Sequence, residues 1–300
     1  MTALFSMIKR NCKVFFKDKG MFFTSLITPI ILLVLYATFL KNVYVDSFSS
    51  SIPDGVNVDD KIINGMVGGV LISSLLAVVC VTVAYCTNVI LVRDKVSGAR
   101  RDFLMTPVKK SIMGLSYFIA SAISTLIIAF VTLTIGLIYI ACMGWFLSVG
   151  DVFLIILDVI ILSLFGTAIS SIINYFLNTN GQVSAVGTIV SAGYGFLCGA
   201  YMPISSFGKG LQSVLSFLPG TYGTSLIRNH FLNGVCDEMS NQGFPNEVIK
   251  GIKDSIDCNL YFFDNSVSIG AMYGVIVGAV VLLIAIYILI NAINPIRKKK

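Results

Sequence analysis

The fold class follows from residues 111–150, which read SIMGLSYFIASAISTLIIAFVTLTIGLIYIACMGWFLSVG and contain no charged side chain. About 20 apolar residues are enough to carry a helix across the hydrocarbon core of a bilayer. No water is available there to pair backbone N–H and C=O groups, so such a stretch must be helical. It predicts one transmembrane helix over 114–143, a turn at Gly144-Trp145, and a second helix starting near Asp151.

Four further stretches of comparable length lack charge, and the longest is divided by a polar turn at Asn178. Of the 300 residues, 56% are hydrophobic and 12% are charged, whereas a soluble domain carries about 25% charged residues. We therefore predict an all-α integral membrane protein forming one domain over residues 1–300. Its six predicted spans are 21–40, 63–89, 114–143, 152–176, 182–201 and 268–292.

Charge placement predicts the orientation of the spans. Residues 1–20, 93–110 and 295–300, together with the turn at Asn178, carry 15 Lys or Arg against three acidic residues. Basic loops stay on the cytoplasmic side of a membrane. We therefore expect both termini in the cytoplasm, an even number of spans, and residence in the cell membrane. The net charge of +6 reflects this topology and gives no indication of nucleic-acid binding.

The segments between the spans differ in character. Residues 1–20 are amphipathic and predict a helix lying in the membrane interface. Residues 41–61 predict a short acidic outer loop, and residues 203–266 a longer outer segment that begins apolar and is broken at Pro219-Gly220. Non-helical backbone is tolerated at membrane depth where protein shelters it. We expect a re-entrant helical hairpin before the last span; a plain amphipathic surface helix is the alternative.

The sequence offers little for catalysis. It contains no G-x-x-x-x-G-K-[ST] loop, no H-E-x-x-H and no C-x-x-C pair. Its single histidine, His230, lies in the outer segment, where we expect an exposed surface residue. We therefore expect no catalytic residues, no metal site and no cofactor bound by this chain. A membrane enzyme acting on lipids is disfavoured because His, Asp and Glu are scarce within the spans.

Asp158 and one cysteine pair leave alternatives open. Asp158 is the acidic residue expected inside the hydrocarbon, where a carboxylate is costly enough to mark a substrate or proton pathway. It could instead reach the outer interface or face water between two copies. Cys236 and Cys258 lie in one polar segment and could pair if that segment is extracytoplasmic, which the redox environment permits without requiring.

The loop after the second predicted span reads RDKVSGARRDFLMTPV over residues 93–108. An acidic residue precedes a glycine by four positions, and a hydrophobic pair leads into Thr-Pro. This arrangement resembles the cytoplasmic loop of ABC-2 type transporter permeases. The second acidic residue of the family pattern is replaced by Val96. The matching positions are Asp94, Gly98, Phe103, Leu104, Thr106 and Pro107.

Further features extend the resemblance over essentially the whole chain. The amphipathic N-terminus is similar to the connecting helix of the family, and Pro29 lies near the middle of the first span, as in its apolar-Pro-apolar pattern. The outer segment is similar to the family's re-entrant gate. The residues that correspond to this gate are Met202, Pro203, Pro219, Gly220 and Tyr222.

The resemblance implies that residues 93–110 couple the permease to an ATPase. The residues themselves predict a short helix over Ser97–Met105, ended by Pro107, that presents Phe103 and Leu104 to a partner. A basic loop held to anionic lipid is the alternative. The coupling assignment comprises Arg93, Asp94, Gly98, Arg100, Arg101, Phe103, Leu104, Thr106 and Pro107.

The function implied by the resemblance is that of a permease subunit in an ATP-driven exporter. Its implied partners are cytosolic ABC ATPase subunits, which use ATP and Mg, and a second permease copy or a paralogue, all within membrane lipid. The implied cargo is amphipathic: a drug, an antimicrobial peptide, a lipid or a lipid-linked glycan, with the long outer segment favouring drug or peptide efflux. The alternative is an ion-coupled secondary transporter or channel using Asp158.

Overall fold

The computed structural model describes residues 2–42, 45, 59–263 and 265–293. These residues are almost entirely helical. A short 3-10 turn (Ile204–Ser206) precedes α8, and β1 (Tyr261–Phe262) pairs antiparallel with β2 (Asn265–Ser266). The helices are α1 (Thr2–Lys17), α2 (Lys19–Leu35, continued by a π-helical turn at Tyr36–Leu40), α3 (Asp60–Val96), α4 (Ala99–Leu104), α5 (Lys110–Met143), α6 (Val149–Phe176), α7 (Asn180–Leu197), α8 (Lys209–Leu215), α9 (Pro219–Asn241), α10 (Asn246–Ser255) and α11 (Ile269–Ile293).

Four helices in the described part of the chain are long and apolar enough to cross a membrane: α3, α5, α6 and α11. Helices α1 and α2, which meet at a bend of 72°, supply a fifth candidate. The remaining predicted span, 182–201, corresponds to α7, which has 18 residues and begins with Asn-Gly-Gln. The all-α membrane fold is confirmed, whereas the count of six spans stays a prediction.

Two predicted segments cannot be compared with the structure. The acidic outer loop at 41–61 lies mostly outside the described residues, and the basic C-terminal residues 295–300 lie wholly outside them.

Helix α3 is the centre of the bundle. The whole of its most apolar stretch is buried, because α2, α5, α6, α7 and α9 all pack against it. At Gly166 the backbones of α3 and α6 touch: a Cβ there would lie 2.6 Å from the Cys80 carbonyl oxygen. Nearby, the Asn88 amide donates to the Ser170 hydroxyl at 2.6 Å. Enclosure by protein satisfies polar groups that lipid would leave unpaired.

The bend between α1 and α2 is set by Asp18. Its side chain accepts a hydrogen bond from the Met21 backbone N–H at 3.1 Å and so caps the start of α2. Helix α1 packs along α5, while Phe5 is 70% exposed on its other side. An apolar side chain exposed on an amphipathic helix is consistent with the interfacial position predicted for residues 1–20.

Candidate functional site

One end of the bundle, called here the basic end, brings together α1, α4 and the neighbouring ends of α3, α5 and α6. At its centre Asp94, 5% exposed, accepts hydrogen bonds from both terminal nitrogens of the Arg10 guanidinium on α1. It also accepts one from the Tyr117 hydroxyl on α5, at 2.6 Å. A charge-assisted bidentate pair fixes geometry as well as adding energy. Asp94 therefore positions α1 against α3 and α5 and is turned away from any partner.

The short helix α4 is shorter than the predicted one by two residues at its start and one at its end. It starts after Gly98, whose φ of +87° is accessible to glycine without strain. The Phe103 ring lies under Arg10, 5.2 Å from the guanidinium carbon to the ring centroid, and Leu104 packs against the same core. Both side chains are partly buried, and the expectation that they are presented to a partner stays a prediction. The contact between the guanidinium and the ring fastens α4 to α1.

The exposed face of α4 and the turn after it carry different residues. Met105 is 88% exposed, and the Thr106 hydroxyl closes the turn by donating to the Phe103 carbonyl at 2.6 Å. An exposed, flexible thioether is typical of binding surfaces that adapt to a partner. This face, called here the α4 face, consists of Arg101, Asp102, Met105, Thr106 and Pro107.

A second set of contacts ties α4 and the end of α3 to α6. The Lys95 ammonium donates to the carbonyls of Asn174 and Leu177, at 3.1 and 2.8 Å, where a cation is favoured by the helix C-terminus. Lys95 and Arg100 both lie over the Tyr175 ring, 5.4 and 5.6 Å from its centroid. These contacts link α4 and the end of α3 to α6, so a displacement of α4 would act on α6.

A third contact joins the end of α3 to the bend at Asp18. Arg93, half exposed, forms an ion pair with the Asp18 carboxylate. The hydrogen bond from Arg93 holds the pKa of that carboxyl below its usual value, so Asp18 stays ionised at neutral pH. The bend is thereby fixed to α3 on one side and to α2 on the other.

Four residues of the basic end escaped the sequence analysis: Arg10, Lys95, Tyr117 and Tyr175. The only signal was the basic, amphipathic N-terminus, in which Arg10 is one of five cations. Nothing local distinguishes Tyr117 or Tyr175 from other aromatic residues in a span. Of the nine residues predicted for coupling, Arg101, Thr106 and Pro107 lie on the α4 face; Asp94, Arg100, Phe103 and Leu104 make contacts within the chain.

At the opposite end, α8 and α9 form a helical hairpin whose tip is residues 216–218. Pro219 occupies the first position of α9, where its missing N–H would have had no helical partner. The Tyr222 hydroxyl donates to the Ser216 carbonyl at 2.6 Å, and the Thr221 hydroxyl to the Leu215 carbonyl at 3.0 Å. These two bonds hold the arms of the hairpin together.

The second arm of the hairpin is enclosed by protein. Helix α9 packs against α3, α6 and α11, and residues 220–228 are all buried. At Gly220 a Cβ would lie 2.7 Å from the Tyr194 hydroxyl oxygen, so a larger residue there would displace that side chain. The alternative of a plain surface helix therefore does not describe α9. Met202, 39% exposed, and Pro203 lie just before the 3-10 turn that leads into the hairpin.

Arg228 connects the hairpin to the rest of the molecule. It is 2% exposed and donates to the Ile256 carbonyl, to the Ser74 hydroxyl on α3 at 2.9 Å, and to the Gly199 carbonyl at 2.9 Å. The Asp257 carboxylate lies 3.8 Å away and accepts the Ser205 backbone N–H at 3.2 Å. Burial raises the pKa of Asp257, and the guanidinium opposes this by favouring the ionised form.

Asp158 on α6 is part of a buried cluster. It is 3% exposed; His230 Nδ1 lies 2.6 Å from its Oδ2, and the Tyr273 hydroxyl donates to its Oδ1 at 2.5 Å. Two alternatives left open by the sequence placed this carboxylate at the outer interface or in water between two copies. It is instead enclosed by protein and joins α6 to α9 and α11. The expectation that His230 is an exposed surface residue is wrong: it is 7% exposed, because a buried carboxylate needs a partner.

The two cysteines of the outer segment lie in one apolar cluster, which also contains Ile256 and Phe244. Both Cys236 and Cys258 are free and buried in the structure, so the pairing considered from the sequence is not formed there. Burial raises the pKa of Cys258 to about 12, and a thiol that stays protonated is a poor nucleophile for disulfide exchange.

Comparison with known proteins decides the family. The sequence profile of the family described as ABC-2 type transporter matches residues 2–232. The chain belongs to this family. The match begins in α1 and ends within α9, so it includes the basic end, the hairpin tip and Asp158. Neither the comparison with curated proteins nor that with solved structures returned a match.

Membership assigns the general role of the chain. This ABC-2 type transporter chain is a multi-pass membrane protein and the permease subunit of an ABC transporter, a type of subunit that works with ABC ATPase partners.

Proposed function

We propose that this permease exports an amphipathic cargo and that separate cytosolic ATPase subunits drive it by gripping the α4 face. The observation that carries the proposal is the construction of α4. One side of this helix is exposed at Met105, while the other is fastened to α1 through Phe103 and to α6 through Arg100. A helix that transmits force from an external partner needs an exposed side for that partner and firm contacts with the rest of the chain.

The contacts of the basic end supply a route for movement. A push on α4 would reach α1 through the stack of Arg10 on Phe103, and α3 through the Arg10–Asp94 pair. Helix α3 in turn contacts the hairpin through the hydrogen bond between Ser74 and Arg228. Chains of packed side chains and rigid helices carry coupling of this kind. In the proposed cycle, ATP and Mg are bound by the partner subunits and the hairpin moves in response.

The exposed side of α7 supports a dimer. Gly181, Ala185, Thr188 and Ala192 recur there at helical spacing and are exposed. Small residues of this kind permit close helix–helix approach in membranes. We assign this side to a second copy or a paralogue, with the basic end and both termini in the cytoplasm of the cell membrane. The long outer segment favours a drug or a peptide as the cargo.

Reversing the chemistry of the α4 face should separate permease from ATPase. We expect Met105→Asp combined with Arg101→Glu to reduce ATPase copurification, since removal of a central interface residue costs about 2 kcal/mol or more. Because both side chains point away from the core, thermal stability should stay unchanged. The measurement is ATP hydrolysis by the complex purified from native membranes.

Val149→Asp provides the matched control, since Val149 is 76% exposed and begins α6 at the other end of the bundle. This variant should keep the ATPase. Association that is unchanged in the α4-face variant, or wild-type permease that purifies with no ATPase, would contradict the proposal.

A second candidate, ion-coupled transport through Asp158, is favoured by the buried Asp158–His230–Tyr273 cluster. We expect purified permease without ATPase to show no proton flux in liposomes, because both carboxylate oxygens are occupied and the group is enclosed. Asp158→Asn should leave this baseline unchanged. A wild-type flux that Asp158→Asn abolishes would establish the ion-coupled alternative; the measurement is the decay of an imposed pH gradient.

A further inference from the structure

Residues of the hairpin line two cavities that differ in polarity. The inner cavity, on the side of the bundle interior, has a volume of about 380 Å³ and is walled by α3, α6, α7, α11 and the tip itself. Its walls are almost entirely apolar, with Val81, Phe165, Val190 and Ala279 among them. Ala279 lies near the middle of α11, so the cavity is at the depth of the hydrocarbon core.

The inner cavity opens sideways. We place its opening at the gap between α7 and α11, because both helices line the cavity while α7 packs mainly on α3 and α11 mainly on α5, α6 and α9. The side chains at this gap face outward: Ile189 is 70% exposed on α7, and Leu282 is 60% exposed on α11. A molecule dissolved in the bilayer could therefore enter without passing through either aqueous phase.

The outer cavity lies on the other side of the tip and is more polar than the inner one, although most of its lining is still apolar. Its volume is about 210 Å³. Leu218 lines the inner cavity, Ser216 the outer one and Thr221 both. The tip and the start of α9 therefore lie between the cavities, held by the Thr221–Leu215 and Tyr222–Ser216 hydrogen bonds. The polar residues that line the outer cavity include Gln212, Ser216, Asp254, Asp257 and Asn259.

We infer that the inner cavity binds the hydrocarbon chain of a single-chain amphiphile, the cargo of the exporter, and that the hairpin tip is the lid between this chain and the outer cavity. The inference rests on the proposed export function and narrows its cargo class. The apolar walls fit a chain and would leave any polar group unpaired. A volume near the lower end of the range for ligand pockets, about 300–1,000 Å³, fits one chain better than a bulky ring system.

The arrangement favours cargo over a resident phospholipid. The inner cavity is not confined to the lipid-facing surface. It extends to the hairpin tip, and the outer cavity lies behind that tip. The Asp254 carboxylate lines the outer cavity, and it attracts an amine head group and repels an anionic one, whereas Asp257 is already paired with Arg228. A molecule with one hydrocarbon chain and an amine head group matches both cavities: its chain fits the inner cavity and its head group the outer one.

The test uses a long-chain alkylamine with a photoreactive group in its chain, applied to the permease in membranes without ATP. We expect labelling of cavity residues such as Tyr194 and Phe165 well above that of Val281, which is 63% exposed on the outer face of α11. Ala279→Phe should fill the cavity and reduce cavity labelling to the level of Val281. Because the ring enters open space, this variant should still fold, which its melting temperature will check.

Ala285→Phe is the matched control, since Ala285 is exposed on the same helix outside the cavity; its labelling should equal that of the wild type. Unlabelled alkylamine should displace the probe better than a fatty acid of equal chain length. Equal labelling in Ala279→Phe would overturn the inference, as would displacement by phospholipid alone. Loss of cavity label on adding ATP and the ATPase tests export separately, so a labelled cavity that ATP does not empty would refute export alone.

Discussion

Replacing Arg228 with alanine is expected to lower the free energy of unfolding of the permease by about 3–5 kcal/mol, the cost of removing one partner from a buried ion pair. Asp257 would keep a carboxylate that is 5% exposed without its cation, and the Ser74 hydroxyl and two carbonyls would lose a donor. The measurement is thermal unfolding of the purified permease, together with its yield from membranes.

Two further variants make the explanation specific. Arg228→Lys keeps the charge but replaces the planar guanidinium with a single ammonium group. Since that group cannot reach all three acceptors and the carboxylate, this variant should restore only part of the stability. Adding Asp257→Asn to Arg228→Ala should recover stability relative to Arg228→Ala alone, because the unpaired charge is removed. A double variant as unstable as the sum of the two single variants would show that Arg228 and Asp257 do not act as a pair.

Replacing Asp94 with alanine should uncouple ATP hydrolysis from transport. Arg10 would lose its bidentate partner and Tyr117 its acceptor, a loss of about 1.5–3 kcal/mol for a hydrogen bond to a charged group. Since 1.4 kcal/mol corresponds to about tenfold, we expect transport of the alkylamine to fall by about tenfold or more. The α4 face is untouched, so the ATPase should still copurify and hydrolyse ATP.

Asp237→Ala is the control for this experiment, because Asp237 is an exposed carboxylate at the hairpin end of the bundle. Asp94→Glu should restore part of the transport. If Asp94→Ala transports as well as the wild type, the Arg10–Asp94 contact does not carry movement; if it no longer binds the ATPase, Asp94 acts on assembly instead.

The sequence predicts the long elements well and the contacts between them poorly. Spans such as α5 and α6 follow from uncharged runs, because lipid imposes a length and an apolar composition that can be counted. The pairing of His230 with Asp158 joins residues 72 positions apart, and that of Arg10 with Asp94 joins residues 84 apart. No periodicity relates such pairs, so the burial of His230 was unpredictable from hydropathy.

The orientation of α4 shows a related limit. Its extent follows from Gly98 and Pro107, which act locally on the backbone. Whether Phe103 points out or in depends on Arg10, which belongs to another helix. Local sequence therefore locates the candidate coupling element and cannot tell which of its faces a partner would meet.

The enclosure of α3 has a consequence for biogenesis. This helix leaves the ribosome before α6, α7 and α9, which later surround it. During that interval Ser74 lacks Arg228 and Asn88 lacks Ser170, their partners on the later helices. Helices of a membrane protein insert first and associate afterwards. The centre of this permease is thus completed by a segment, α9, that is synthesised well after α3, and nascent chains truncated before α9 should be short-lived.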